Sequence, residues 1–432
     1  MGDDMKVIKN LIIGGGISGL AFANFCNSDY LIVEKDDTVG GLCRTFYNDD
    51  YVWDYAGHFF HFADDSIRQM FDQKIVSSDK VCCKKVTKIY YRDNLIEYPF
   101  QMNIHQLPQA EFIDCLYDLF HRVQKDSYSD FKEMLYGKFG QSITEKFLKP
   151  YNEKLYACDL SDLDVDAMGR FFPYAEPEQI IDNMKYASDS SYNSTFEYPQ
   201  KGAVVFVDAL MDDIPKDKVV LNACLSNLDI NRHVAVIKVG SDYQEIQYEN
   251  LINTIPLNNF LTCIKKTDMI NAEDDLSQGA LHSNKVLVFN IGFDKKSLLK
   301  DVHWIYYPSK EINFYRVGFY DNILGGDKLS IYVEIGLTTD AEVDIDGQFE
   351  YTLENLRRVG IITDHRVIAW NHVMISPGYV HISKDSKEYV SELESMFKKQ
   401  NIYTIGRYGK WTYCSIEDCI KMVQKLAGIL ES

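Results

Sequence analysis

Three glycines, Gly14, Gly16 and Gly19, stand at G-x-G-x-x-G spacing in NLIIGGGISGLAFANF (10–25), after an apolar run and before a helical one. Each has a task at that spacing. The first allows a tight turn, the second lets a pyrophosphate approach the backbone, and the third lets helix pack on strand. The helix N-terminus then offers free N–H groups to the phosphates. Glu34 follows at the end of DYLIV, where a carboxylate accepts hydrogen bonds from ribose hydroxyls. Strand, helix and acid together predict a dinucleotide site rather than an ordinary strand–helix turn.

A second glycine pair, Gly40 and Gly41, opens VGGLCRTF, which also carries Arg44. Directly after the acidic strand end, this pair resembles flavoproteins of the glutathione-reductase type, above all the amine-oxidase-like group, where a further loop wraps FAD. YENLINTIP (248–256) resembles the strand by which that group returns to its FAD domain. The resemblance favours FAD over NAD as the resident cofactor.

More motifs follow in order. YVWDYAGHFFHF (51–62) carries Gly57 and His58, and IEYPFQMNIH (96–105) carries Tyr98, Phe100 and Gln101. FLKPYNEKLYACDLSDLDVDAMGRFFP (147–173) carries Asn152, Tyr156 and Arg170, and YNSTFEYPQKG (192–202) carries Asn193. HWIYYPSKEINFYRVGFYDN (303–322) carries Trp304, Tyr306 and Arg316. ISPGYVHISKD (375–385) carries Tyr379, and IGRYGKWTYCSIEDCI (405–420) carries Arg407 and Tyr413. In order and approximate spacing these resemble UDP-galactopyranose mutases, the eukaryotic type more than the common bacterial one, over most of the chain.

The resemblance implies a flavin-dependent UDP-sugar mutase. Such an enzyme interconverts pyranose and furanose forms, here UDP-galactopyranose and UDP-galactofuranose, by attack of reduced flavin N5 on the anomeric carbon, without net redox. It implies that Arg170 and Arg316 bind the diphosphate, a role suited to the planar guanidinium fork. It sets His58 against the flavin, with Gly41, Arg44, Gly57 and Arg407 as further FAD contacts. Tyr306, Tyr379 and Tyr413 would line the diphosphate and sugar site, and Asn193 would lie near the sugar. Tyr98, Phe100 and Gln101 would form the uridine pocket, with Asn152 and Tyr156 near the uracil. NADPH is an expected reductant, entering through the UDP-sugar cleft. The family loop reads GGH, and here Ala56 takes the place of the first glycine. If that position required positive φ, alanine would strain it.

The FAD motifs fit a redox enzyme of the amine-oxidase or protoporphyrinogen-oxidase type equally well. They also fit a homologue that only binds nucleotide sugar. The arginines and tyrosines favour the mutase, because an apolar amine or porphyrin pocket does not require them.

Residues so far apart need a scaffold to bring them together. VIKNLII, the helix after it and DYLIV form a βαβ unit. Residues 105–147 carry apolar positions at helical intervals, and a further helix is expected over 203–213. Residues 218–256 read as three or four strands. Segments 285–293, 303–307, 313–320 and 329–338 alternate like an antiparallel sheet, and 415–430 is an amphipathic helix. The polar stretch 186–198 has the composition of a flap. The fold class expected is α/β: a Rossmann-type FAD-binding domain with a helical insert and a twisted antiparallel sheet domain. Interleaved segments make the domains discontinuous. Residues 1–95, 200–265 and 395–432 are expected to bind FAD, and 105–185 to be mainly helical. Residues 95–104, 186–200 and 280–394 are expected to form the substrate domain.

The 432 residues are 46% apolar with a formal charge of −19. That balance argues against general attraction to nucleic acid or anionic membrane, while local arginines can still build an anion pocket. The 29 tyrosines and 24 phenylalanines suit a cleft where polar ligands meet apolar walls. Ten cysteines include no CxxC pair, and no Cys/His cluster has zinc spacing, so no metal is expected. No apolar leader or membrane-length segment is visible. The expectation is a soluble cytoplasmic protein with free thiols; no coiled-coil heptad points to an oligomeric state.

Overall fold

The computed structural model describes residues 6–48, 50–186, 195–265 and 279–431. Its first sheet is built on LIIG and its partners. In spatial order the strands are Ala223–Asp229, Val234–Val239, Asp242–Asn253, Lys6–Ile13, Tyr30–Val33 and Val219–Val220. Ile402–Thr404 pairs with the end of Asp242–Asn253. Lys6–Ile13 is parallel to both its neighbours, with Ile13 opposite Val33 on one side and Asn253 on the other. Leu11, Ile12, Leu31, Ile32, Leu251 and Ile252 are all buried, as expected where parallel strands are covered on both faces. The helices Ile17–Phe25, Val204–Met211 and Ile416–Leu430 cover one face through Leu20, Phe22, Phe206, Ile420 and Val423. The C-terminal ends of the parallel strands meet at residues 13, 33 and 253, the place where open α/β sheets take ligands.

The second sheet runs Val367–Ile375, Asn284–Phe293, Ser330–Thr338, Arg316–Phe319, Trp304–Tyr306, Thr87–Tyr91 and Asn94–Glu97. It is antiparallel except between Trp304–Tyr306 and Thr87–Tyr91. Register puts Tyr306 opposite Arg316, and Arg316 opposite Glu334. Directly paired residues share a face of a sheet, so these three stand in one row. Between the sheets in sequence lie the helices Gln109–His121, Phe131–Ile143, Lys149–Tyr156 and Pro177–Lys185.

The strands Thr87–Tyr91 and Asn94–Glu97 correct one expected boundary. The nucleotide-binding segment was drawn to residue 95, yet these strands pair into the second sheet, because Trp304–Tyr306 needs a partner on that flank. The strand Val367–Ile375 and the helices Ile345–Arg358 and Lys384–Lys398 are elements beyond those expected from the sequence.

Candidate active site

A cavity of about 590 Å³ opens at the strand ends of the first sheet. Gly14, Gly16, Ser18, Glu34, Gly40 and Gly41 line it, as do Gly57, His58, Phe59, Arg407, Cys414 and Ser415. The glycines do what their spacing requires. Gly14 has φ +103°, and a Cβ there would meet Thr254 Oγ1 at 2.5 Å. A Cβ on Gly19 would stand 2.0 Å from the Gly14 carbonyl oxygen, so only glycine lets the first helix seat on its strand. Gly16 caps that helix without a side chain, leaving its first N–H groups to a ligand. Gly41, at φ +55°, brings its own backbone against Gly16, where a Cβ would lie 3.2 Å from the Gly16 Cα.

Glu34 is buried. Its Oε2 accepts the Gly15 N–H at 2.7 Å and its Oε1 the Asp36 N–H at 3.0 Å, which holds the carboxylate in the wall while lone pairs remain for ribose hydroxyls. Arg44 does not line the cavity. It pairs with Asp36 at 2.6 Å, donates to Thr38 O at 2.8 Å and comes within 3.8 Å of Glu34, so it holds the acidic end in place.

Asp54 is fully buried and anchors the histidine loop. It accepts from Thr45 Oγ1, the Ala203 N–H and Tyr198 OH at 2.6, 3.0 and 2.8 Å, while burial pushes its pKa up to about 6. Ala56 does not take a positive φ, so alanine there is unstrained. Gly57 is needed for another reason: a Cβ would meet Tyr332 OH at 2.5 Å. His58 Nδ1 lies 2.9 Å from the Ala56 carbonyl oxygen. Burial above all, with Arg407 and Arg316 nearby, lowers the His58 pKa to about 4, against the raising effect of that hydrogen bond. The neutral ring therefore donates from Nδ1 and presents Nε2 as an acceptor.

Beside the cavity, the second sheet and the chain after it gather Tyr306, Arg316, Tyr379, Arg407 and Tyr413 into one cluster, of which Arg407 lines the cavity. Arg316 Nε and Nη2 donate to the two oxygens of buried Glu334, each at 2.6 Å, and its guanidinium lies 5.7 Å from the Tyr332 ring. Tyr306 accepts from Trp304 Nε1 at 3.0 Å and packs against Tyr98 and Tyr151 with ring centroids 5.3 and 5.0 Å apart. Tyr379 stacks on Tyr413 at 5.9 Å and meets Tyr156 edge-on at 5.7 Å. Arg407 lies 4.4 Å from the Tyr413 ring and 5.4 Å from Tyr379. Burial raises the pKa values of Tyr306 and Tyr379, so both stay protonated donors. Among the described residues no carboxylate pairs with Arg407, and its buried Nε has no hydrogen-bond partner. Buried charge without a counter-ion is costly, and a bound anion would meet that cost. The cleft thus fits a dinucleotide: glycine cradle, acid and unpaired arginine lie along it.

Three expected substrate contacts are buried with unpartnered polar atoms: Gln101 Oε1, Asn152 Oδ1 and Tyr156 OH. Gln101 Nε2 donates to Pro173 O, and Asn152 Nδ2 to Leu148 O at 2.6 Å. Phe100 is instead a core residue. It stacks on Phe147, which stacks on Tyr151, because its side chain packs inward from the turn after the second sheet's edge. Arg170 stands at the rim, half exposed, with Nη2 donating to both oxygens of Asp418 at 2.7 and 2.8 Å. Its neighbour Phe171 meets Tyr413 edge-on at 5.1 Å. Asn193 and most of the expected flap lie outside the described residues; Thr195–Pro199 is a strand paired with Lys80–Lys84.

Glu334, Asp418 and the ring of Tyr151 carry no motif in the sequence, whereas the last helix, expected from residue 415, starts at Ile416 with Ser415 as its N-cap. Ser415 and Asp418 form a capping box there, and Ser-x-x-Asp before an apolar-periodic run is a readable helix start. Among the described residues, no group of three or more His, Cys, Asp or Glu is arranged to hold a metal, and no helix is long and apolar enough to cross a membrane.

Residues 12–73 match the family model of an NAD(P)-binding Rossmann-like domain. Among solved structures, a reduced UDP-galactopyranose mutase superposes with a TM-score of 0.91 at 22% identity, covering 98% of this chain and 94% of its own. A protoporphyrinogen-oxidase-like protein from Exiguobacterium gives 0.75 at 14% identity, over 100% and 99% of the two chains. Cyclohexylamine oxidase from Brevibacterium oxydans gives 0.68 at 11%, over 98% of each. The chain thus resembles UDP-galactopyranose mutase in fold, within a wider group that includes oxidases, and its N-terminal unit is a dinucleotide-binding Rossmann segment.

Proposed function

We propose that the chain is an FAD-dependent UDP-sugar mutase that interconverts the pyranose and furanose forms of its substrate, UDP-galactose first among them, without net redox. The observation that supports this reading is the proximity of Arg316 and Arg407 to His58, which lines the dinucleotide cleft, with Tyr306, Tyr379 and Tyr413 gathered about the two arginines. FAD, bound and reduced, supplies a nucleophilic N5. The chain's own residues do the rest. Glu34 holds the ribose, the turn at 14–16 and Arg407 hold the pyrophosphate, and His58 offers Nε2 to the ring system. Arg316 keeps its charge in the interior because Glu334 takes Nε and Nη2, and Nη1 is left for the substrate diphosphate. Neutral tyrosine hydroxyls donate to the same anion, which stabilises it as a leaving group. Gln101 Oε1 and Asn152 Oδ1 offer acceptors to the single N3–H of the uracil and to the ribose hydroxyls. Arg170 exchanges Asp418 for the diphosphate when substrate binds, and NADPH reduces the cofactor from the same cleft.

An amine or porphyrinogen oxidase would place apolar side chains where this site has Arg316 and Glu334. Titrating the reduced protein with UDP separates the two. The expected result is a saturable change in the flavin spectrum. Absence of any UDP effect at millimolar concentration, together with oxygen uptake on adding an amine or porphyrinogen, would overturn the mutase reading.

A further inference from the structure

Cys414 and Cys419 face each other with 3.5 Å between sulfurs. Both are buried, and both belong to the wall of the dinucleotide cleft. Nothing in the proposed reaction uses them. Ser415 is the N-cap of the last helix, so Cys414 precedes the cap and Cys419 is the fourth helical residue. Those positions bring two side chains together at a helix start.

The surroundings favour sulfur chemistry. The N-terminal end of a helix stabilises a thiolate. The hydrogen bond between the two sulfurs is the largest influence on each. It raises the Cys414 pKa and lowers that of Cys419, so Cys419 is the more readily ionised of the two. Ser18, in the first turn of the pyrophosphate helix, also hydrogen-bonds the Cys419 sulfur, and Arg407 lies close by. Arg407 Nη1 is in turn 3.4 Å from the Cys414 carbonyl oxygen.

We propose that Cys414 and Cys419 form a reversible disulfide in the cleft wall, made by a low-molecular-weight disulfide when the dinucleotide is absent and prevented when it is bound. The Cys419 thiolate attacks one sulfur of the reagent and expels one thiolate. Cys414 then gives its proton to solvent and attacks the Cys419 sulfur, expelling the second. Two electrons pass from the protein to the reagent, which leaves as two thiols. The sulfurs close from 3.5 Å to about 2.05 Å, drawing residue 414 toward the helix. That movement acts on the Cys414 carbonyl at Arg407 and on the Cys419 sulfur at Ser18, both beside the phosphates. Cofactor and disulfide therefore oppose each other, and the coupling is reciprocal.

Trypsin releases both cysteines in one peptide, Trp411–Lys421, with no third cysteine. Cofactor-stripped protein is treated with oxidised glutathione, alkylated and digested. The expected peptide has lost two hydrogens, is not alkylated, and recovers two alkylated cysteines after dithiothreitol. Protein saturated with FAD keeps both cysteines alkylated under the same conditions. Oxidised protein rebinds FAD about tenfold more weakly or worse. Two alkylated cysteines in the stripped protein, glutathione adducts without an internal bond, or equal oxidation with and without cofactor would each overturn the proposal. Cys414→Ser is expected to stop at a glutathione adduct on Cys419. The stripped-protein arm does not depend on which dinucleotide fills the cleft, so its failure is distinct from failure of the mutase reading.

Discussion

Arg316 keeps its charge in the interior because Glu334 meets it with two parallel hydrogen bonds. Arg316→Lys keeps the charge and loses the fork. With a charge-assisted hydrogen bond worth roughly 1.5–3 kcal/mol, kcat/KM is expected to fall about tenfold to a hundredfold in steady-state assays. Arg316→Ala leaves a buried carboxylate without its partner, so unfolding by urea should show a loss of about 3–5 kcal/mol. His58 makes a prediction about pH. Its folded pKa is about 4, below the roughly 6.5 of an unfolded chain, so the unfolded state binds more protons between these values. Its contribution to stability is complete above the unfolded pKa and is lost as pH falls toward 4. The Tm of the protein should therefore drop more steeply over that window than the Tm of His58→Asn; parallel curves would contradict the burial of a neutral His58. Both residues were readable by resemblance. Their partners were not: Glu334 is brought to Arg316 by strand register, and Ala56 O to His58 by a loop conformation.

The first helix and the last both turn their N-terminal ends to the cleft, and their glycines behave differently. Gly19→Ala forces a Cβ into the Gly14 carbonyl and should lift the helix, so flavin absorbance per chain should fall sharply. Gly428, near the end of the last helix, has open space around its Cβ position. Gly428→Ala should stabilise the protein by about 0.5–1 kcal/mol, read as a higher urea midpoint with cofactor content unchanged. The βαβ unit was legible because each glycine has a steric reason. The strand Val367–Ile375 was not, although Val373, Met374 and Ile375 line the cleft. It is an edge strand with Ile368 and Met374 exposed, so apolar residues on both faces hide the two-residue period.

At the scale of the molecule, two sheets share the chain, and the candidate site lies where the second sheet's row of Tyr306, Arg316 and Glu334 comes near His58 of the first sheet's cleft. Motif order foretold the α/β class and the Rossmann-like unit. It did not foretell that Thr87–Glu97 crosses to the second sheet, because strand partners are fixed by tertiary pairing, nor that Phe100 turns into the core. The proposed function requires a reduced cofactor to serve a reaction with no net redox. The most direct test is product analysis of dithionite-reduced, cofactor-loaded enzyme with UDP-galactofuranose and a panel of other UDP-hexoses. The expected product is UDP-galactopyranose, formed over many turnovers with the flavin still reduced at the end and no conversion by the oxidised enzyme. No ring-form conversion of any UDP-hexose by fully reduced enzyme, or conversion coupled to stoichiometric flavin oxidation, would contradict it.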